Sequence, residues 1–168
     1  MNRVAYNKHR RERRAAKEKR LSIRTEWRTK FLEKIKSVHR RNLENVVDNI
    51  LRRIDSVKNQ MVTRSRKAGV ECTVTIEQLR QLLYDNYGMP CRYCNRLLIL
   101  KNSTFDHIMP ISKRGASNIG NLQVICRPCN HMKGSLDEAS FSLLLNWLKT
   151  VPENLRIDIT IRLARGIH

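Results

Sequence analysis

The chain has 168 residues and a formal charge of +19, from 34 Lys and Arg against 15 Asp and Glu. Apolar residues make up 40% and aromatic residues 5%, enough for one modest core, or a small domain with an appendage. No apolar run approaches the ~18 residues of a membrane span. The N-terminus also lacks the apolar stretch of a secretory signal, so the sequence predicts a cytoplasmic protein. Its five Cys are then expected in a reducing compartment, where metal binding is favoured over disulfides.

The charge is uneven along the chain. Residues 1–70 carry 22 Lys and Arg against 7 acids, a balance of +15, while residues 71–168 carry 12 against 8, a balance of +4. So one-sided a field points to a polyanionic partner such as nucleic acid. Residues 1–67 contain no Pro and no Gly, and the opening block from Lys8 through Arg14 to Arg20 is almost free of apolar residues. Two readings stand for it: disordered when free, or helical on a polyanion. From Trp27 a helical spacing begins, with Trp27, Phe31, Ile35 and Val38, then Leu43, Val47, Ile50, Ile54, Val57 and Met61. The second set steps by four and three in alternation, an apolar seam on a long helix. That seam is expected to pack on the rest of the protein or to pair with a second copy in a homodimer. Arg40, Arg41, Arg52, Arg53 and Lys58 lie between the seam positions and are expected to meet phosphates.

Gly69 ends this arm, and residues 70–74 read as a short strand or an extended link. Thr75, with Gln78 three residues on, reads as the cap of a helix carrying Ile76, Leu79, Leu82 and Leu83. Gly88 and Pro90 stop that helix. Beyond them, β-prone runs occur at Leu97–Leu100 and Gln123–Ile125. Phe141, Leu144, Leu145 and Leu148 mark an amphipathic helix over Ser140–Thr150. In the tail, Leu155, Ile157, Ile159, Ile161 and Leu163 alternate as in a strand, yet Pro152-Glu153 reads as a helix start; both readings stay open.

Four of the five cysteines form two Cys-x-x-Cys pairs, Cys91/Cys94 and Cys126/Cys129. Two-residue spacing turns both thiolates onto one ion, and two pairs complete a tetrahedral zinc site. A site closed by four thiolates has no open position, so this zinc is expected to be structural. Cys72 stands apart and reads as a small buried side chain. The 31 residues between the pairs exceed the spacing of a simple zinc ribbon, so an insert lies between the knuckles. It holds Asp106-His107, then Pro110, Ser112, Lys113, Arg114 and Gly115, then Asn121-Leu122-Gln123, and Asn130-His131-Met132-Lys133 follows the last Cys. Adjacent Asp and His offer an oxygen ligand and a base near neutral pH, the two needs of phosphodiester hydrolysis. Neighbouring strand residues point to opposite faces. The pair therefore reaches one phosphate only if the chain bends or a second element closes the site. The Asn130 segment, anchored by Cys129, is that element.

These residues, over about 88–135, closely resemble the HNH endonuclease family, whose zinc-bearing members read C-x-x-C … D-H-I-x-P-x-S-x-G-G … N-L-Q-x-x-C-x-x-C-N-x-x-K. The resemblance implies an α+β fold with a ββα-metal finger. It implies His107 as general base, Asp106 as a ligand of a catalytic Mg²⁺ or Mn²⁺, and Asn130 as ligand or ligand-orienting residue. His131 becomes the ligand instead if the helix register shifts by one. Asn121 is implied to hold the loop that orients the His. Lys113, Arg114 and Lys133 stand as phosphate contacts, each against the reading of a solvated cation. Arg114 departs from the family's Gly-Gly. The implied reaction is DNA cleavage with one metal that ligates a phosphate oxygen and the leaving O3′, giving 5′-phosphate and 3′-hydroxyl ends. The expected organisation is a basic arm over 1–69, a zinc-bearing nuclease domain over 70–150 and an extension over 151–168. A finger with such an arm is similar to phage or intron-borne homing endonucleases, which act in the bacterial host cell. Packaging-associated and restriction nucleases share the finger, and a non-catalytic zinc nucleic-acid-binding protein is the competing class.

Overall fold

A computed structural model describes residues 3–36 and 43–165, with side chains over 8–35 and 45–165. Arg40 and Arg41, expected to touch phosphates, and Val38 lie outside the described residues, and the Leu43 side chain is likewise undescribed. Two compact units are present, Met1–Arg53 and Ile54–His168.

The first unit holds α1 (Arg3–Lys36) and the start of α2 (Leu43–Ala68). The opening basic block lies within α1. From Lys8 to Glu26 its residues are exposed apart from the half-buried Ile23 and Arg24. A buried stripe follows at four-residue spacing: Trp27, Phe31 and Ile35 on α1, with Val47, Ile50 and Leu51 buried on α2. Arg28 of α1 pairs with Asp48 of α2 at 3.6 Å. The apolar seam is thus largely consumed within one chain: Val47, Ile50, Ile54 and Met61 are each at most 5% exposed, and Val57 is half-buried.

In the second unit, α2 ends at Ala68 beside Gly69, which takes φ +63°. Residues 70–74 form the extended link, joined by a single parallel bridge from Cys72 to Ser117. Thr75 caps α3 (Ile76–Asn86) with a complete capping box: its hydroxyl accepts from the Gln78 amide, and the Gln78 side chain accepts from the Thr75 amide. Leu79 and Leu83 are the buried face of α3. The finger proper is β1 (Ser103–His107), antiparallel to β2 (Leu122–Cys126), and α4 (Arg127–Lys133), which packs on both strands. Ser103 pairs with Cys126 and His107 with Leu122. The hairpin thus carries a candidate zinc ligand, Cys126, at one end and the candidate base at the other. Helices α5 (Glu138–Thr150) and α6 (Glu153–Arg165) follow. This is an α+β chain, with one two-stranded sheet among the described residues.

The β-prone run Leu97–Leu100 is not a strand: it makes one bridge, Leu97 to Pro90. Its cause is Asn102, whose side chain donates to the Leu97 carbonyl and accepts from the Ile99 amide, closing a turn. The strand begins just beyond. The tail is helical rather than extended, in agreement with the helix start at Pro152-Glu153, and α6 packs against α4.

Candidate active site

Cys126 closes β2 and Cys129 lies on α4, so the two cysteine pairs meet where these elements join. The Sγ atoms of Cys91, Cys94, Cys126 and Cys129 lie within 4.8 Å of one another, and three of the four residues are buried. A tetrahedral ion with bonds of about 2.3 Å holds its ligands about 3.8 Å apart. The four thiols therefore fit zinc. Burial pushes the Cys126 thiol up to about 11, and Cys129 rises further for the same reason. At Cys91 burial also opposes ionisation, but hydrogen bonding from the Cys126, Tyr93 and Cys94 backbone outweighs it and holds that thiol low. Such a mixture of buried thiols suits a cation that takes all four as thiolates. Cys72 is only half-buried, and the Lys58 ammonium, expected to meet phosphates, lies 3.4 Å from its sulfur.

At the far end of the hairpin is an open cleft of about 390 Å³ lined by Arg64, Phe105, Asp106, His107, Pro110, Ile111, Asn130, His131, Gly134 and Arg165. Asp106 and His107 are neighbours on β1, yet both line this cleft, because the strand ends at His107 and α4 closes over it. The Asp106 carboxylate is 7% exposed. Its Oδ2 accepts from Gln123 Nε2 at 2.8 Å and lies 3.1 Å from Lys133 Nζ. Among the described residues Oδ1 has no donor, so one carboxylate oxygen stays available to a cation.

His107 Nε2 lies 2.8 Å from Ser117 Oγ, and Ser117 Oγ lies 2.8 Å from Ser65 Oγ of α2. Both serines are buried, so the ring is fixed from behind. Burial lowers the His107 pKa below 6.5; Asp106 opposes that shift, while Lys133 and Arg64 add to it. The ring is therefore neutral at neutral pH, the state a base requires. Asn121 holds the loop after His107: its side chain accepts from the Met109 amide and donates to the Met109 and Ala116 carbonyls. Inside this loop Arg114 takes φ +63°, a backbone that glycine adopts freely, which gives the family's Gly-Gly a physical reason at this departure. A Cβ on Gly115 would meet the Met109 carbonyl oxygen at 1.8 Å.

Two expected phosphate contacts are placed otherwise. Lys133 is buried, with its ammonium on the His107 carbonyl at 2.6 Å and on Asp106. It faces inward because its helix, α4, packs that side onto β1. Lys113 pairs with Asp137 at 2.6 Å, and this cation with the Ser140 amide holds the Asp137 carboxyl well below the usual range. Arg114 remains exposed. In the first unit Arg52 and Arg53 are exposed, and Arg52 donates to Asn49 Oδ1 at 2.9 Å. Asn130 lines the cleft, and the neighbouring His131 has its Nδ1 2.9 Å from the Ala164 carbonyl of α6.

Sequence reasoning missed Gln123. It is 6% exposed and bonds Asp106, Tyr93 and Arg92. It thereby ties the candidate metal ligand to the two residues between Cys91 and Cys94. Its place two residues after Asn121 in the family pattern was the available signal. For Arg64 and Arg165 there was none, since they reach the cleft from helices on either side of the finger.

Residues 91–136 match the HNH endonuclease family model. The match takes in both cysteine pairs, β1, β2 and α4, which together are the HNH finger, and leaves α1 and α2 outside. No curated protein matches this chain. The finger is that of a nuclease family, and no helix among the described residues is long and apolar enough to cross a membrane.

Proposed function

We propose that the chain is a metal-dependent DNA endonuclease whose reaction takes place in the cleft between β1 and α4. The observation that carries this reading is a half-buried His107, fixed through Ser117, beside an Asp106 carboxylate that keeps one oxygen unengaged. A non-catalytic zinc module has no use for that pair. The donor set fits a hard divalent cation, Mg²⁺ or Mn²⁺, held by Asp106 and Asn130. When bound, such an ion supplies stabilisation of charge on the phosphate and on the leaving oxygen. His131 is the weaker candidate ligand because its Nδ1 is engaged by α6.

The protein's own groups do the rest. His107 in the tautomer that donates from Nε2 to Ser117 leaves its Nδ1 lone pair to take a proton from the attacking water. Lys133 and Gln123 fix Asp106, and Asn121 fixes the loop behind His107. The product ends are a 5′-phosphate and a 3′-hydroxyl. The exposed basic face of α1 supports a duplex substrate that extends beyond the cut, as in a phage-type homing endonuclease acting inside a bacterial host. The buried seam favours a single copy as the folded unit, since a homodimer through the 43–61 seam would need Val47, Ile50, Ile54 and Met61 exposed. The test is supercoiled plasmid incubated with Mg²⁺, with Mn²⁺ or with EDTA. Nicked or linear product with metal alone, carrying ends that ligase rejoins directly, is the expected result. Absence of cleavage with either metal contradicts the reading.

A further inference from the structure

The second half of α2 carries a face that the finger does not use. Ser56, Asn59, Gln60, Thr63, Arg64 and Lys67 recur at the three- and four-residue spacing of one helical stripe, and all six are exposed. They line a shallow concavity of about 660 Å³. Arg64 belongs both to this concavity and to the catalytic cleft, so the two surfaces are continuous. The stripe contains no acid. The only acid of α2 beyond Arg53 is Asp55, which pairs with the buried Arg80 at 3.3 Å. Two cations stand among amides and hydroxyls whose hydrogen bonds stay within the helix, Gln60 to Ser56 and Thr63 to the Asn59 carbonyl, and together they make a surface complementary to a polyanion with polar edges. Among the described residues the Asn59 amide has no partner, and Gln60 uses only its nitrogen, on Ser56.

We propose that this face of α2 is the track on which the DNA duplex beside the reacting bond lies, with Arg64 and Lys67 on its phosphates and Asn59 and Gln60 on its base edges. Amide side chains pair bidentately with adenine in the major groove, whereas cations on phosphate add affinity without sequence information. The packing supplies a reason for a fixed register. Ser65, on the opposite side of the same helix turn, is hydrogen-bonded through Ser117 to His107. The reading face and the base are thereby held as one rigid piece, so a preferred base lies at a constant distance from the cut. The proposal rests on the DNA-cleavage reading of the cleft, but its test does not need cleavage.

The experiment measures duplex binding by the full-length zinc-bound protein with no Mg²⁺ or Mn²⁺ added, across a salt series, and sequences the bound fraction of a random duplex pool. Each phosphate contact contributes about 0.9 to the slope of log affinity against log salt. Arg64→Gln and Lys67→Gln are each expected to reduce that slope by about 0.9, and Lys149→Gln on α5 is expected to leave it unchanged. Asn59→Ala combined with Gln60→Ala is expected to keep the slope while abolishing an A·T preference that the parent shows. Unchanged slopes for both charge variants overturn the proposal, as does a parent with no base preference or tighter binding to RNA duplexes. If the slopes fall as expected while plasmid stays intact with either metal, the track stands and the nuclease reading fails.

Discussion

The Asp106 carboxylate is 7% exposed, and the Lys133 side chain that neutralises it is wholly buried. Truncating one partner of such a pair leaves a buried charge without compensation, at a cost of about 3–5 kcal/mol. Lys133→Met is therefore expected to lower the thermal midpoint sharply, and Lys133→Met with Asp106→Asn to recover much of the loss; equal midpoints for Lys133→Met and the parent would show the pair to be unimportant. For His107, burial and the nearby Lys133 and Arg64 outweigh Asp106, so its ring stays neutral to lower pH than a free imidazole. An NMR titration of the zinc-bound protein without Mg²⁺ should place its midpoint below 6.5, and a midpoint above 6.5 contradicts the geometry. That Asp106, His107 and Asn130 line one cleft was legible because their order in the chain matches a family pattern. The inward course of Lys133 was not. On a seven-residue helix, spacing does not say which side packs on a strand, and a Lys reads as solvent-facing by default.

At the scale of elements, the hairpin holds its two ends in register through Gln123, which reaches from Asp106 to Arg92 and Tyr93 beside the first knuckle. The first knuckle is thus tied to the Asp106 end of the sheet as well as to its own. Removing zinc with a thiol-compatible chelator should unfold the finger and abolish cleavage, with Mg²⁺ alone unable to restore it. Retained cleavage after verified zinc loss would break that link. Caps and stops were legible here: Thr75 with Gln78, and Gly88 with Pro90, bound α3 where local chemistry said they would. Strand positions were less so. Leu97–Leu100 has the apolar content of a strand, but the Asn102 side chain takes the Leu97 carbonyl and the Ile99 amide, Leu98 pairs only with Gly88 and Met89, and the less apolar Ser103–His107 pairs with β2 instead. The tail's period-two pattern lost to tertiary packing of α6 on α4.

Across the whole molecule, charge and chemistry are divided. The exposed stretch of α1 carries Arg10, Arg13, Arg14 and Lys17 around one shallow concavity and lies outside the family match. Replacing these four by Gln should reduce affinity for duplex DNA and flatten its salt dependence by up to about 3.6, at about 0.9 per contact. The cleavage rate at saturating protein should stay near that of the parent. A fall in that rate with unchanged affinity would move the arm into the chemistry.

In the proposed reaction His107 removes the proton from water in the cleft of the HNH finger. That step is tested most directly by the single-turnover cleavage rate of His107→Ala under conditions where parent and variant are equally folded and fully bound to DNA. Loss of a positioned base predicts a rate lower by about 10²–10⁴-fold with binding unchanged. A variant that cuts as fast as the parent contradicts the account.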